Sequence, residues 1–551
     1  MQAMTLKIAS FLIGNDATYD SARSDLNYQR HRHVAGLQAL RRIALVGVAL
    51  FALIGCASID FNYPRENSSV IRDTDTTRLG TSIDPLVADR PDDRAGFYPL
   101  SDGIDALTAR LLLARNADRS IDVQYYLIKD SLTGRAFIHE LLRAADRGVR
   151  IRLLIDDMFT GGKDGVLAAL HAHPNFEIRV FNPFHRGAAG RPASFLIGFS
   201  RVNRRMHNKS FTVDDRITIL GGRNIADEYF GAREDAAFGD LDILAVGSIV
   251  QEVSDQFDDY WNHESALPVP AFINNVDAAD ADAGLAALRT ELADAQDDVR
   301  VSRYGEAVKA RYRAYLEPTG DLFKWAPYEL VFDSPDKGIK GRMSEADSIL
   351  GPIGDTIGAA ERQLIVISPY FVPTRAGIRR LTELVRGGIE VTVITNSLAA
   401  NNQFTVHGGY ATSRKPLLEA GVRIHEARPD AEVAGTEFIE ASSAKATLHT
   451  KAFVVDARDL FIGSFNFDPR SADLNTEIGV IIRDPDLASR VISRIEEALP
   501  EQTFEVFLDD DKLRWRGLDQ GRETIYTKEP ETTWGLRALA WFARILPRSQ
   551  L

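Results

Sequence analysis

Two eight-residue segments dominate the reading of this chain. His207-Asn208-Lys209-Ser210-Phe211-Thr212-Val213-Asp214 and His449-Thr450-Lys451-Ala452-Phe453-Val454-Val455-Asp456 carry histidine, lysine and aspartate at the same spacing, 242 positions apart. The first leads to Gly221-Gly222-Arg223-Asn224 and the second to Gly463-Ser464-Phe465-Asn466. Upstream, Val149 in RGVRIRLLID matches Ile389 in RGGIEVTVIT, 240 positions on. Such a period is far too long for a solenoid. It predicts a duplication, with two similar halves in one chain.

Each half alternates strand-like and helical runs. Ser120 to Tyr126, Val149 to Ile155 and Phe176 to Phe181 read as strands, with helical stripes at Leu107 to Ala117 and Gly134 to Arg147. The second half repeats the order with Gln363 to Ser368, Gly377 to Arg386, Ile389 to Thr395 and Val422 to Ile424. Strands separated by helices predict an α/β fold, each half a mixed β-sheet flanked by helices. The expected segments are 57–95 as a tether, 96–265 as half 1, 266–325 as a bridging insertion, 326–500 as half 2 and 501–551 as a tail. For 551 residues, two large domains are an ordinary division.

Strand alternation predicts that each His and its Lys project from one strand to one side. Two histidines offer a nucleophile and a proton donor. Two lysines and two turn-borne asparagines offer charge and hydrogen bonds for an oxyanion. Together they suit attack on a phosphodiester, through a phosphohistidine, with no metal and no cofactor required. Net charge is −13 and pI about 5.4, which disfavours a general nucleic-acid binder. A single cysteine excludes an internal disulfide and Cys-based zinc sites.

The paired HxKxxxxD segments with their GGxN and GSxN turns resemble the phospholipase D superfamily over residues 95 to 500. That resemblance implies duplicated phospholipase D-like halves forming one pseudo-twofold active site. It assigns His207, Lys209, Asp214, His449, Lys451 and Asp456 to the catalytic motifs, His207 as nucleophile and His449 as general acid and base. Asp214 and Asp456 then support the fold. Asn224, Ser464 and Asn466 are expected at the phosphate. An acidic residue orients each histidine, with Asp242 and Glu477 as candidates. The phrases Asp60 to Arg65 and WAPYELVFDSPDKG also resemble the bacterial cardiolipin synthase C-type branch, which implies phosphatidyl transfer between phospholipids. A phospholipase D releasing phosphatidic acid is the alternative, and a nuclease a weaker one.

The ends bear on location. Arg41 and Arg42 precede an uncharged run from Ile43 to Ile59 that contains Leu53-Ile54-Gly55-Cys56. This has the form of a lipoprotein signal over residues 1–56, with Cys56 as the lipidation site, and predicts a membrane-anchored, periplasm-facing protein. Asp is absent after the cysteine, which favours the outer membrane. Near the other end, Leu536, Leu539, Ala540, Ala543 and Leu546 fall at helical spacing beside Trp534, Trp541 and Phe542. That predicts either an interfacial amphipathic helix or a helix packed on the core. Expected partners are therefore phospholipid substrates and a membrane surface, with the chain a monomer containing an internal pseudo-dimer. His407, Gly408, Gly409, Tyr410 and Arg414 could line a second-substrate pocket or form a surface loop and helix start. Arg204 and Arg205 could hold a lipid phosphate or form a solvated charge pair. His171 and His173 read as a loop rather than a metal pair, and Asp156-Asp157 as structural carboxylates.

Overall fold

A computed structural model describes residues 59–545, apart from 187–189, 234–235, 274–276, 302–304, 311–321, 431–444 and 520. Cys56 and the signal-like segment lie outside the described residues. The first half contains β1 (Arg94–Leu100), β2 (Ser120–Tyr125), β3 (Arg150–Asp156), β4 (Phe176–Phe181), β5 (Ser210–Val213), β6 (Ile217–Gly221), β7 (Ala236–Gly239), β8 (Asp242–Gly247) and β9 (Ala266–Pro268). They pair in the order β1-β8-β6-β5-β2-β3-β4-β9, with β2, β3 and β4 parallel and the remaining neighbours antiparallel.

The second half repeats this plan. It has β10 (Lys324–Phe332), β11 (Gln363–Ile367), β12 (Glu390–Asn396), β13 (Arg423–Ala427), β14 (Lys445–Leu448), β15 (Ala452–Val455), β16 (Asp459–Gly463), β17 (Ile478–Arg483), β18 (Thr503–Asp509), β19 (Lys512–Asp519) and β20 (Arg522–Tyr526). Their order is β10-β17-β16-β15-β11-β12-β13-β18-β19-β20, again with the three strands of the βαβ units parallel. The duplication expected from the motif spacing is therefore a duplication of whole mixed sheets.

The halves meet along their edges and their faces. β1 pairs with the start of β10, with Arg94 opposite Pro327 and Phe97 opposite Lys324, which makes one continuous sheet. Each half also has its own core, one around Val123, Phe137 and Phe211, the other around Val366, Val393 and Phe453. A third core lies between them, where Leu220, Ile243 and Ala245 meet Val454, Ile462 and Val480. Strands covered on both faces read as near-continuous apolar runs, which is why strands such as β6 and β17 carry so few polar residues.

Two expectations change. Residues 59–95 are docked rather than a loose tether. Ile59 is buried, Val70 N donates to Asp258 Oδ2 at 2.8 Å, and Arg152 reaches Ser68 O at 3.0 Å. The same segment contains a helix, Arg78–Val87, whose Thr77 cap accepts from Gly80 N at 2.9 Å. Polar composition misled here because a few apolar residues, Ile59 and Ile83 among them, and long-range hydrogen bonds are enough to dock the segment. The tail is not separate from half 2 either, since β18, β19 and β20 extend its sheet. The β18–β19 turn is Asp510-Asp511, both at positive φ, a hairpin signal that sequence reading passed over. The bridging insertion contains the helix Ala278–Val301, which buries Leu285 and Leu292 against half 1.

The motif aspartates serve the fold. Asp214 accepts from the backbone N–H groups of Asp118, Arg119 and Ser120 at 3.0, 2.8 and 2.9 Å. Asp456 does the same for Glu361, Arg362 and Gln363 at 2.8, 2.8 and 2.9 Å. Each carboxylate thus caps the start of β2 or β11 from the hairpin turn after β5 or β15. Both turns place two residues at positive φ, Asp214-Asp215 and Asp456-Ala457, as tight primed turns require. Asp214→Ala and Asp456→Ala should each cost roughly 2–3 kcal/mol of stability, because hydrogen bonds to a charged group are lost and three N–H groups are orphaned. Chemical denaturation should show that loss, while turnover per folded molecule stays within a few-fold of the parent.

Candidate active site

The two histidines lie just before their strands, in extended segments at the sheet ends, rather than inside β5 and β15 as alternation suggested. Each is pinned by the opposite half. Met206 and Thr476 form a parallel bridge in which His207 N donates to Thr476 O at 2.9 Å and Thr476 N to Arg205 O at 2.9 Å. The strands β7 and β14 pair in parallel, Gly239 opposite Leu448, and His449 N donates to Gly239 O at 2.7 Å. So residue 206 meets residue 476, and residue 448 meets residue 239. The next residues in each chain are then neighbours: His207 with Glu477, and His449 with Asp240.

The side chains complete what the backbone sets. His207 Nδ1 lies 2.8 Å from Glu477 Oε2, and His449 Nδ1 lies 2.5 Å from Asp240 Oδ2. Each imidazole is oriented by a carboxylate from the other half, which leaves its Nε2 for chemistry. Glu477 was expected in this role. Asp242 was expected as its counterpart and is not: it is buried in an ion pair with Arg110 at 2.7 Å and accepts from Arg223 N at 3.1 Å. The correct counterpart, Asp240, was missed. Aligning the apolar runs that follow, Ile243 to Ala245 with Val480 to Ile482, pairs Asp240 with Glu477 and would have found it.

Ser464 also differs from expectation. Its hydroxyl donates to Glu477 Oε2 at 2.5 Å and accepts from Ile478 N at 3.0 Å, so it braces the carboxylate instead of meeting phosphate. Ser471 Oγ holds the other oxygen at 2.7 Å. In half 1 the matching position is Gly222, where an added Cβ would lie 2.3 Å from Asp240 Oδ1. Only glycine leaves room there for the carboxylate.

The lysines are buried with the histidines. Lys209 Nζ donates to His207 O, and Lys451 Nζ to His449 O at 2.6 Å, 3.2 Å from His449 Nε2. Burial lowers Lys209 to about 7 and Lys451 to about 8, against the pull of Glu477 and Asp240. Burial lowers His207 to about 4, and the charges of Lys209 and Lys451 add to this against Glu477. His449 falls to about 3 for the same reasons, with Lys451 and Lys209 both contributing. Each half's lysine acts on the other half's histidine, so the four side chains share one electrostatic site. Glu477 stays below its usual range despite burial, because His207, Lys209 and Ser464 stabilise the carboxylate. Both imidazoles are therefore neutral at pH 7 beside ionised carboxylates.

Asn224 and Asn466 both sit buried at the ends of their motifs. Asn224 Nδ2 donates to Tyr229 Oη at 2.9 Å. The Oδ1 atoms of both asparagines have no hydrogen-bond partner among the described residues. These orphaned atoms are acceptors, so they suit a ligand group that donates, such as an incoming hydroxyl. Aromatic rings that sequence reading missed complete the walls. Tyr126 meets His207 edge-on at 5.0 Å between centroids, Tyr229 meets His449 at 4.9 Å, and Phe238 stacks on His449 at 5.5 Å.

Other candidates lie elsewhere. His407, Tyr410 and Arg414 are buried in a network with Glu426 and Glu529, beneath the C-terminal helix. Arg205 is buried, pairing with Asp156 at 3.2 Å, so it is neither a phosphate ligand nor solvated. Asp156 accepts from Met206 N at 2.9 Å and thereby holds the first motif in place. His173 Nε2 lies 3.1 Å from Asp146. Among the described residues, no group of three or more His, Cys, Asp or Glu is arranged to hold a metal ion.

Comparison with known proteins bears on the family and the fold. Residues 112–261 and 353–499 match the family described as "Cardiolipin synthase, PLD-like domain". The chain is 40% identical to cardiolipin synthase C of Escherichia coli K12, over 85% of this chain and 98% of that one. It is 29% identical to an uncharacterized protein of Helicobacter pylori J99, over 93% of this chain and all of that one. The fold is shared with phosphatidylserine synthase of Haemophilus influenzae, with a TM-score of 0.51 at 15% identity, covering 74% and 87% of the two chains. Two matched domains that fall one within each half, together with a relative aligned nearly end to end, place this chain in the phospholipase D-like family of the cardiolipin synthases.

Proposed function

We propose that the chain transfers a phosphatidyl group from one phospholipid to a hydroxyl of another, forming a cardiolipin-type lipid. The crossed histidine–carboxylate pairs carry this reading, since they supply two oriented neutral imidazoles among two buried lysines. The similarity to cardiolipin synthase C supports the choice of substrates.

In this reading His207 Nε2 attacks phosphorus while its Nδ1–H is held by Glu477. The P–N bond forms as the bond to the departing alcohol oxygen breaks. Proton donation to that oxygen falls to His449, which must be an imidazolium at that moment. Its low pKa in the free site reflects burial and Lys451. An entering phosphodiester anion offsets the lysine charges and raises it, and Asp240 stabilises the cation formed. In the second step His449 takes the proton of the incoming hydroxyl, the new P–O bond forms, and the P–N bond breaks to restore His207. Lys209 and Lys451 stabilise the charge that develops on the non-bridging oxygens. We also propose that Cys56 is lipidated and that the protein faces the periplasm from a membrane, on the strength of the lipoprotein-like leader.

Incubation with phosphatidylglycerol and mixed phospholipids should yield cardiolipin-type product; phosphatidic acid as the sole product would mean that water is the acceptor. His207→Ala and His449→Ala should both abolish turnover. With His449→Ala a phosphatidyl adduct should collect on His207, and an adduct on His449 in the His207→Ala protein would reverse the roles. Asp240→Asn and Glu477→Gln should lower kcat by about 10²–10⁴-fold, by analogy with loss of the orienting carboxylate in hydrolase triads.

The pH profile follows from the shifted groups. His207 is lowered to about 4, so its base form persists at pH 5–6, where an ordinary histidine is largely protonated, and kcat/KM should hold there. Lys209 and Lys451 are lowered to about 7 and 8, so they lose charge as pH rises through that window, and kcat/KM should fall. Lys209→Arg should move the alkaline limb upward in whatever activity remains. Cys56→Ser should end incorporation of a fatty-acid probe; labelling that persists would assign the lipid elsewhere.

A further inference from the structure

The C-terminal helix, Trp534–Ala543, is attached by its small residues. Ala540 and Ala543 are buried, and an added Cβ on Gly408 would meet Ala543 Cβ at 2.7 Å and Ala540 O at 2.8 Å. Its large apolar side chains point away from the body. Trp534 is 79% exposed, Leu539 52%, Trp541 56%, Phe542 60% and Ile545 75%. Elsewhere in the described chain exposed large apolar residues are scattered, which is ordinary; five within one short segment are not. A helix that turns alanines inward and aromatics outward has the opposite arrangement from one built only to fill a core.

The charge beside this patch is unusual for a chain of net charge −13. A cavity of about 310 Å³ lies under the helix, lined by His407, Arg414, Lys528, Glu529, Arg537 and Arg544, with Trp541 also in its wall. Glu529 is engaged by Arg414 at 2.6 Å and faces His407 at 3.5 Å. Among the described residues Arg537 donates to neutral oxygens of Thr532, at 2.7 and 3.0 Å. None of Lys528, Arg537 and Arg544 forms an ion pair among the described residues. His407 is fully buried, and its Nδ1 has no hydrogen-bond partner among them.

We infer that this corner is a docking surface for an anionic phospholipid bilayer, in which the exposed aromatics enter the headgroup layer while Lys528, Arg537 and Arg544 hold a lipid phosphate at the cavity. Tryptophan and phenylalanine on one side and uncompensated cations beside them are the chemistry of that interface. A protein partner would need carboxylates opposite those cations and would seal the aromatics; a bilayer of anionic lipid meets both demands with one surface. The inference stands apart from the transfer reaction, because it concerns where the protein rests and not what its histidines do.

The test uses the full chain in proteoliposomes containing brominated phospholipids, with tryptophan quenching as readout, so that any amino-terminal lipid does not contribute. In phosphatidylglycerol vesicles quenching should be strong. It should fall by more than half in the Trp534→Phe/Trp541→Phe protein, whose exposed rings can be exchanged without disturbing the core. Lys528→Gln/Arg537→Gln/Arg544→Gln should reduce quenching to the weaker level expected in phosphatidylcholine vesicles, and far-UV circular dichroism should stay unchanged for both proteins. Quenching that survives loss of both tryptophans, or that is equal in the two vesicle types, overturns the inference. So does a dimer in detergent solution that Trp541→Ala dissociates, because the patch would then belong to a second copy.

Discussion

Everything in the active site depends on an exchange between halves. Two short parallel bridges, Met206 with Thr476 and Leu448 with Gly239, fix the backbone so that each histidine meets a carboxylate it could not reach within its own half. The hydrogen bonds at 2.8 and 2.5 Å follow from that register. The continuous sheet through β1 and β10 and the shared apolar layer around Val454 and Ile243 hold the register steady. A slip of one residue at either bridge would replace the carboxylate it positions by a neighbour facing the other way.

The site uses burial as its main electrostatic instrument. Water is excluded from two lysines and two histidines together, and the cost is met by Glu477, Asp240 and backbone carbonyls. The result is an enclosure that holds its imidazoles neutral and its lysines easily discharged, a poor resting place for cations and a good one for a phosphate anion. Preorganised charge of this sort is worth more in a dry cleft than at a surface, because no solvent must reorient as negative charge develops.

Much of this was legible in the chain. Two matched motifs 242 positions apart implied the duplicated halves, both histidines and both lysines, and the resemblance to the family implied the structural duty of the aspartates. Glu477 was legible too, because one acidic residue stands alone before an apolar run. Asp240 was harder to single out, because GDLD offers two carboxylates on alternate positions, and they separate only once the runs that follow are aligned or the ladder register, with Gly221 opposite Asp242, is known. Ser464 looked like a phosphate ligand by its place in the turn; its hydroxyl is already spent on Glu477. The docked segment 59–95 and the hairpin β18–β19 also eluded sequence reading. The segment is held in part by hydrogen bonds to distant residues, such as Val70 to Asp258, which leave no periodic trace, whereas the hairpin carried a local signal in its Asp510-Asp511 turn.

The second layer shows that the halves have drifted apart. In half 2 a longer carboxylate, Glu477, is gripped by Ser464 and Ser471; in half 1 a shorter one, Asp240, nestles against Gly222. Because each carboxylate serves the histidine of the other half, drift on one side is felt on the opposite side. A change near Gly222 alters the chemistry of His449, and one near Ser464 alters that of His207. The two repeats are thus bound into joint inheritance: neither can be improved, spoiled or borrowed by recombination alone, and the unit on which selection acts is the seam between them.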